Sequence, residues 1–225
     1  MLRFPAFGTV VLITALRLCA QEQSAPTKEL PAGEAKGIPP RATPADYQAH
    51  APAGTVTVAA EFIGHSVPTQ DGSTYTTEDY VAVETGLYGP SGARLKISVE
   101  DFTLRVLAKK TTSLPSQPFG AVFRSLKDPV WEDSVAVEAK SKSSTSINTG
   151  GKGGEKEPAA PVHMPLELQR AMQQRVQKTA LPEGDRALPQ AGLIFFPYRG
   201  KVDKIRSIEL VYAGPAGTAT LALQP

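Results

Sequence analysis

LIFFPYRGKVDKIRSIELVYAGPAGTATLALQP, residues 193–225, alternates like a strand, breaks at Gly200, alternates again, turns at Gly214-Pro215-Ala216-Gly217 and alternates once more. In the middle segment Ile208, Leu210 and Tyr212 share one face, and in the last Ala219, Leu221 and Leu223 do the same, the period-two pattern of half-buried strands. The first segment differs. Leu193 and Phe195 fall on one face, while Ile194, Phe196 and Tyr198 fall on the other with Arg199 beside them. A strand apolar on both faces has to be covered twice, and the nearest cover in sequence is a helix at 168–180. The other reading is an exposed binding patch formed by Phe196, Tyr198 and Arg199.

The same alternation recurs upstream. In TVTVAAEFI, Val56, Val58, Ala60 and Phe62 share a face; in YVAVETGLY, Val81, Val83, Thr85 and Leu87 do. Between them lies a polar stretch, GHSVPTQDGSTYTTED, expected to be a long loop with a turn at Asp71-Gly72. After a turn at Gly89-Pro90-Ser91-Gly92, the apolar residues of RLKISVEDFTLRV move from odd to even numbers across Glu100-Asp101. That shift predicts either one bulged strand or two short strands meeting at a corner. FGAVFRSLKDP spaces Phe119, Val122, Phe123 and Leu126 for a short helix. Ser, Gly and Lys then dominate a low-complexity loop at 140–165, followed by a helix at about 166–181 with Leu168, Ala171, Met172, Val176 and Thr179 or Ala180 as its apolar stripe. Strands at both ends around a helix-containing insertion predict a mainly β fold, an antiparallel β-sandwich, over residues 54–225.

The N-terminus reads differently. Residues 1–20, MLRFPAFGTVVLITALRLCA, have the basic start, short apolar centre and small terminal residue of a signal peptide. Arg17 interrupts the apolar run, which is too short to span a bilayer, so no transmembrane span is expected after cleavage. Cys19 is the only cysteine, and the bulky Arg17 and Leu18 before it do not suit lipidation; cleavage after Ala20 leaves a chain without disulfides. Residues 21–53, rich in Pro and Ala with few large apolar side chains, are expected to be a disordered linker. Losing Arg3 and Arg17 leaves 22 Lys plus Arg against 22 Asp plus Glu. A neutral chain lacks the basic excess that phosphate contacts require, so nucleic acid is not an expected partner.

Motifs for chemistry are sparse. GGKGG at 150–154 lacks the Ser or Thr that a phosphate loop places after its Lys, and lacks the preceding strand. Of three histidines, His50 and His163 lie in Pro-rich stretches, and only His65 sits where a scaffold could place it. Asp71, Glu78 and Asp79 offer oxygens in one loop but not the spacing of a calcium site. No Gly-x-Ser-x-Gly elbow occurs, and the adjacent acids Glu100-Asp101 and Glu132-Asp133 would point to opposite faces. No metal, cofactor or catalytic residue is expected. Trp131, the single Trp, is either an edge-packing residue or a partner anchor.

VTVAAEFI, YVAVETGLYGPSGARLKISVEDFTLRV and GLIFFPYRGKVDKIRSIELVY together resemble the bacterial extracytoplasmic immunoglobulin-like domains of unknown function, a family also related to a secreted mycobacterial immunoprotective antigen. The resemblance spans Thr55 to Val106 and Gly192 to Leu223; this chain departs from it by the insertion between Phe119 and Gln190. LPEGDRALPQAGLIFFPYRGK is also similar to uncharacterised secreted proteins of soil bacteria. The resemblance implies an Ig-like sandwich outside the cytoplasm and supplies no functional residue. The expectation is a non-enzymatic, periplasmic or secreted binding or structural module, whose partner is a cell-envelope component or a protein. The candidate ligand-binding residues are Trp131, Phe196, Tyr198 and Arg199. The alternatives are a carbohydrate- or calcium-binding module and, more remotely, a hydrolase.

Overall fold

A computed structural model describes residues 35–108, 110–135 and 163–225 of the chain. Most of the low-complexity loop at 140–165 and the whole signal-peptide segment lie outside the described residues.

Alternation produces the strands. β1 (Ala49–Ala53), β2 (Val56–Gly64), β5 (Tyr80–Tyr88) and β11 (Gln190–Pro197) form one four-stranded antiparallel sheet in the order β1-β2-β5-β11. β7 (Phe102–Leu107), β8 (Thr111–Pro115), β12 (Ser207–Gly214) and β13 (Gly217–Leu223) form a second in the order β13-β12-β7-β8. The two sheets enclose one core. Val58, Val81, Val83, Ile194 and Phe196 from the first sheet meet Phe102, Leu104, Leu210, Tyr212 and Leu221 from the second, all 2% exposed or less. The fold is thus an antiparallel β-sandwich, held by burial rather than by disulfides. The odd-to-even shift at Glu100-Asp101 is a corner. β6 (Arg94–Ile97) pairs with β10 (Gly184–Ala187), a 3-10 turn occupies Val99–Asp101, and β7 then enters the second sheet.

The outer face of the first sheet is also covered. α3 (Leu166–Thr179) packs Met172 and Val176 with Leu193, Phe195 and Ala82 in a second apolar cluster, so the two-faced apolar pattern of β11 is satisfied by core on one side and helix on the other. The helix stripe is narrower than its spacing predicts, since Leu168 is 50% exposed on the first turn. Beyond the helix, Leu181 donates its N–H to the Leu193 carbonyl at 3.0 Å, and Ala180 bridges Leu193 in parallel. A side chain at Gly192 would strike the Leu181 backbone, so only glycine permits this approach.

Two expectations are corrected. Residues 64–79 are not one loop: β3 (Ser66–Pro68) and β4 (Thr74–Thr77) make a hairpin about the Asp71-Gly72 turn, and β4 pairs with β9 (Leu126–Lys127). Val67 and Tyr75 bury themselves in the cluster under α3, which holds the hairpin down. Of the segment expected to be a disordered linker, 21–53, residues 21–34 lie outside the described residues, whereas 35–48 form a strap over the outer face of β2 and β5 and β1 follows. Ile38 N–H donates to Ala191 O at 2.9 Å, and the Gln70 side chain donates to Gly37 O at 2.6 Å. Tyr47 lies over Gly86, where a Cβ would collide with its ring. Composition gives no sign of this, because a few residues, Ile38, Arg41 and Tyr47 among them, fasten residues 35–48.

Candidate functional site

At one end of the first sheet, the start of β5, the end of β11 and the β4–β9 pair converge. The sequence dictates much of the local geometry. α1 (Phe119–Val122) leads through a 3-10 turn at Phe123–Ser125 into β9, as the spacing of Phe119, Val122 and Phe123 suggests. Next comes a helical stretch that the alternation does not announce, residues 129–135, named α2. Its signal is Asp128-Pro129: the Asp128 carboxylate accepts from the amides of Val130 (3.0 Å) and Trp131 (3.3 Å), and proline suits the first helical position.

Three hollows run in series around this end. The first, about 460 Å³, is lined by Asp79, Tyr80, Gly120, Ala121, Arg124 and Ser125. The second, about 590 Å³, shares Asp79 and adds His65, Glu78, Lys127, Glu132, Arg199 and Lys201. The third, about 230 Å³, shares Lys127 and Glu132 and is lined by Trp131, Leu126, Met164 and Met172. The shared residues place the hollows side by side, in a region termed the furrow.

Most of its charges are matched in pairs. Arg199 Nε donates to Asp79 Oδ1 at 2.7 Å, and Lys127 Nζ lies 2.6 Å from Glu78 and 3.9 Å from Glu132. The hydrogen bond to Glu78, with both carboxylates nearby, raises the Lys127 pKa above its ordinary value. Arg124 and Lys201 differ: among the described residues neither side chain has a hydrogen-bond or ion-pair partner.

His65 sits between strands. Its Nδ1 is 2.8 Å from Tyr80 O, its Nε2 is 2.9 Å from Gly200 O, and its ring stacks on Tyr198 with centroids 6.3 Å apart. Both ring nitrogens face carbonyls, so neither is presented to a metal or a substrate proton. The Asp71 carboxylate is also committed: Oδ1 accepts from the Thr69 hydroxyl and the Ser73 amide, and Oδ2 pairs with Arg175 at 3.0 Å. The Thr69 hydrogen bond, with the Ser73 amide and Arg175, lowers the Asp71 pKa. Among the described residues no group of three or more His, Cys, Asp or Glu could hold a metal ion. None of the helices there is long and apolar enough to cross a membrane.

Of the four candidate residues, Arg199 and Trp131 line adjoining hollows of the furrow, and Tyr198 braces His65 beside them. Phe196 is elsewhere. It is 0% exposed between the sheets and presents no surface to a ligand, because alternation turns it inward with Ile194. Of the lining residues, Asp79 enters the sequence analysis only as a loop oxygen, and Arg124, Lys127 and Lys201 do not enter it as candidates. One available signal was RGKVDKIR at 199–206, where four cations accompany one acid although the chain beyond residue 20 is neutral as a whole. Comparison of the chain with family models, with curated proteins and with solved structures finds no match.

Proposed function

We propose that this protein is a non-enzymatic, extracytoplasmic binding module, an Ig-like sandwich that engages a cell-envelope component or a protein through the furrow at the β4–β9 end. The observation that carries the reading is that adjoining hollows share Lys127 and Glu132 in their linings, which brings Arg199 and Trp131 to the same end of the sandwich. Binding surfaces combine aromatic and Arg anchors with polar surroundings, and this furrow has both. The engagement of both His65 nitrogens supports binding over turnover, since acid–base chemistry needs a nitrogen turned toward substrate. The signal-peptide pattern of residues 1–20 supports a place outside the cytoplasm.

Co-sedimentation with separated peptidoglycan, polysaccharide and membrane fractions of a bacterial envelope tests this. The chain is expected to be retained by one fraction, and Arg199→Ala and Trp131→Ala each to release it. Recovery wholly in the supernatant, or retention untouched by both substitutions, refutes the furrow as an envelope-binding surface. Arg199 is 82% exposed, so its removal tests binding with little effect on the fold.

A further inference from the structure

The two sheets differ on their outer sides. α3 and the strap cover the first, whereas the outer side of the second lies bare: Arg105, Leu107, Ala213, Thr218, Thr220 and Ala222 are all exposed there. Alternation turns the odd residues of β7, β8 and β12 and the even residues of β13 outward. Those positions hold Thr, Ser, Ala, Val, Leu and Pro, and only Arg105 and Glu209 among them are charged. The two sit opposite one another on the central strands, with Arg105 Nη1 3.7 Å from Glu209 Oε2 and the side chains 51% and 46% exposed. Each therefore keeps donors or acceptors free to face outward.

From this face we infer that the protein pairs with a second copy of itself, second sheet against second sheet. The order β13-β12-β7-β8 is balanced about the line between β12 and β7, so a two-fold axis along that line lays β7 over the second copy's β12 and β8 over its β13. Arg105 then faces the second copy's Glu209, and Glu209 its Arg105, because the two share one height on the sheet. By the same registers Thr103 meets Val211 and Ser113 meets Ala222. A two-fold across the strands through that row would stack Arg105 on Arg105, so charge selects the first arrangement over the second. Small side chains with little charge suit the close approach of two sheet faces, about 10 Å apart, and resemble the charge-poor centre of protein interfaces. Four strands about 4.8 Å apart, each with about six residues at about 3.4 Å, give a face of about 400 Å² per copy. The pair then covers about 800 Å² of plane in all, the size of a weak, reversible association.

Sedimentation velocity of the full chain between about 1 and about 500 µM is expected to show a monomer–dimer equilibrium with a dissociation constant of about 10–100 µM. Arg105→Glu sets Glu against Glu between the copies and Glu209→Arg sets Arg against Arg, so each variant alone is expected to dimerise about tenfold more weakly or worse. Mixing the two variants brings opposite charges together at both contacts, and the mixture is expected to form a heterodimer within about threefold of the parent affinity. Both side chains are about half exposed, and an unchanged melting temperature will show that each variant is folded. Val211→Lys, which places an unpaired cation near the centre of the face without touching the pair, is expected to weaken dimerisation independently.

A monomer at every concentration overturns the inference, whether the face is then covered by another stretch of this chain or left to a different partner. A dimer that withstands both charge substitutions and Val211→Lys, or single variants that stay monomeric when mixed, overturns it as well. The furrow takes no residue from β7, β8, β12 or β13, so failure of the dimer leaves the proposed binding function standing.

Discussion

Arg41→Met tests how the strap of residues 35–48 is held. Glu61 on β2 and Glu84 on β5 lie directly opposite one another across the strand pair, where like charges repel. Arg41 lies between them. Its Nε and Nη2 take both Glu84 oxygens at 3.2 and 2.9 Å, Nη1 reaches Glu61 and donates to Asp46 O at 2.6 Å, and the guanidinium stands 4.4 Å over the Tyr47 ring. Burial disfavours its charge, yet Glu84 and Glu61 outweigh that, and the Arg41 pKa is raised above its ordinary value. Exposure of the side chains is 30% for Arg41, 34% for Glu61 and 14% for Glu84, so the site is screened only in part.

Breaking a fully buried pair costs about 3–5 kcal/mol, whereas an exposed pair contributes at most about 1 kcal/mol. This half-buried triad belongs between them, so Arg41→Met is expected to destabilise the fold by about 2–3 kcal/mol. Urea denaturation followed by circular dichroism measures the loss, and hydrogen exchange at the Ile38 amide reports whether the strap lifts. Adding Glu61→Gln and Glu84→Gln to Arg41→Met is expected to restore more than half of it, since the two uncompensated carboxylates are then gone. A loss under about 0.5 kcal/mol, or no recovery in the triple variant, refutes the triad as the strap's fastening.

Two aromatic and aliphatic positions separate core from surface. Phe196→Ala, emptying a fully buried site between the sheets, is expected to cost about 3–5 kcal/mol, while Leu168→Gln on the exposed first turn of α3 should stay within about 0.5 kcal/mol. Thermal unfolding of both variants checks the contrast, and comparable losses would refute the assigned faces. Asp101 gives a pH signature. Burial, aided by Glu100, raises its carboxyl pKa above the usual value of 3.8. The folded state therefore binds the proton more tightly than the unfolded chain, and this group's contribution to stability improves as pH falls toward 3.8. Asp101→Asn should thus stabilise the protein at neutral pH, with the gain shrinking in acid; a gain independent of pH, or a loss at neutrality, would contradict the burial argument.

The site was only half legible. Arg199 and Trp131 stood out as a cation beside aromatics and as a lone Trp, and they lie along one furrow. Phe196 stood out for the same reason and belongs to the core, since aromatic identity does not reveal which side of a two-faced strand has room for a ligand. Arg124, Lys127 and Lys201 are ordinary surface residues in the sequence, and Asp79 stands there only as one loop oxygen among several. They become a site only when β5, the turn after α1, β9 and the loop after β11 meet.

By itself the sequence determined the strands and their faces: Val81 and Val83 inward on β5, Leu210 and Tyr212 inward on β12, and the need for cover on both sides of β11. It also determined α3 and the parity shift at Glu100-Asp101, while the structure chose the corner over a bulged strand. These follow from period and parity, which neighbouring residues set among themselves. Only the tertiary structure decided that a Pro- and Ala-rich segment is strapped down, that a polar stretch folds into the β3–β4 hairpin, and that separated charges form a furrow. Arg41 meets Glu84 from 43 residues away, and Arg199 meets Asp79 from 120. Contacts at such separations are selected by the packing of the whole chain, so they leave no local period to read.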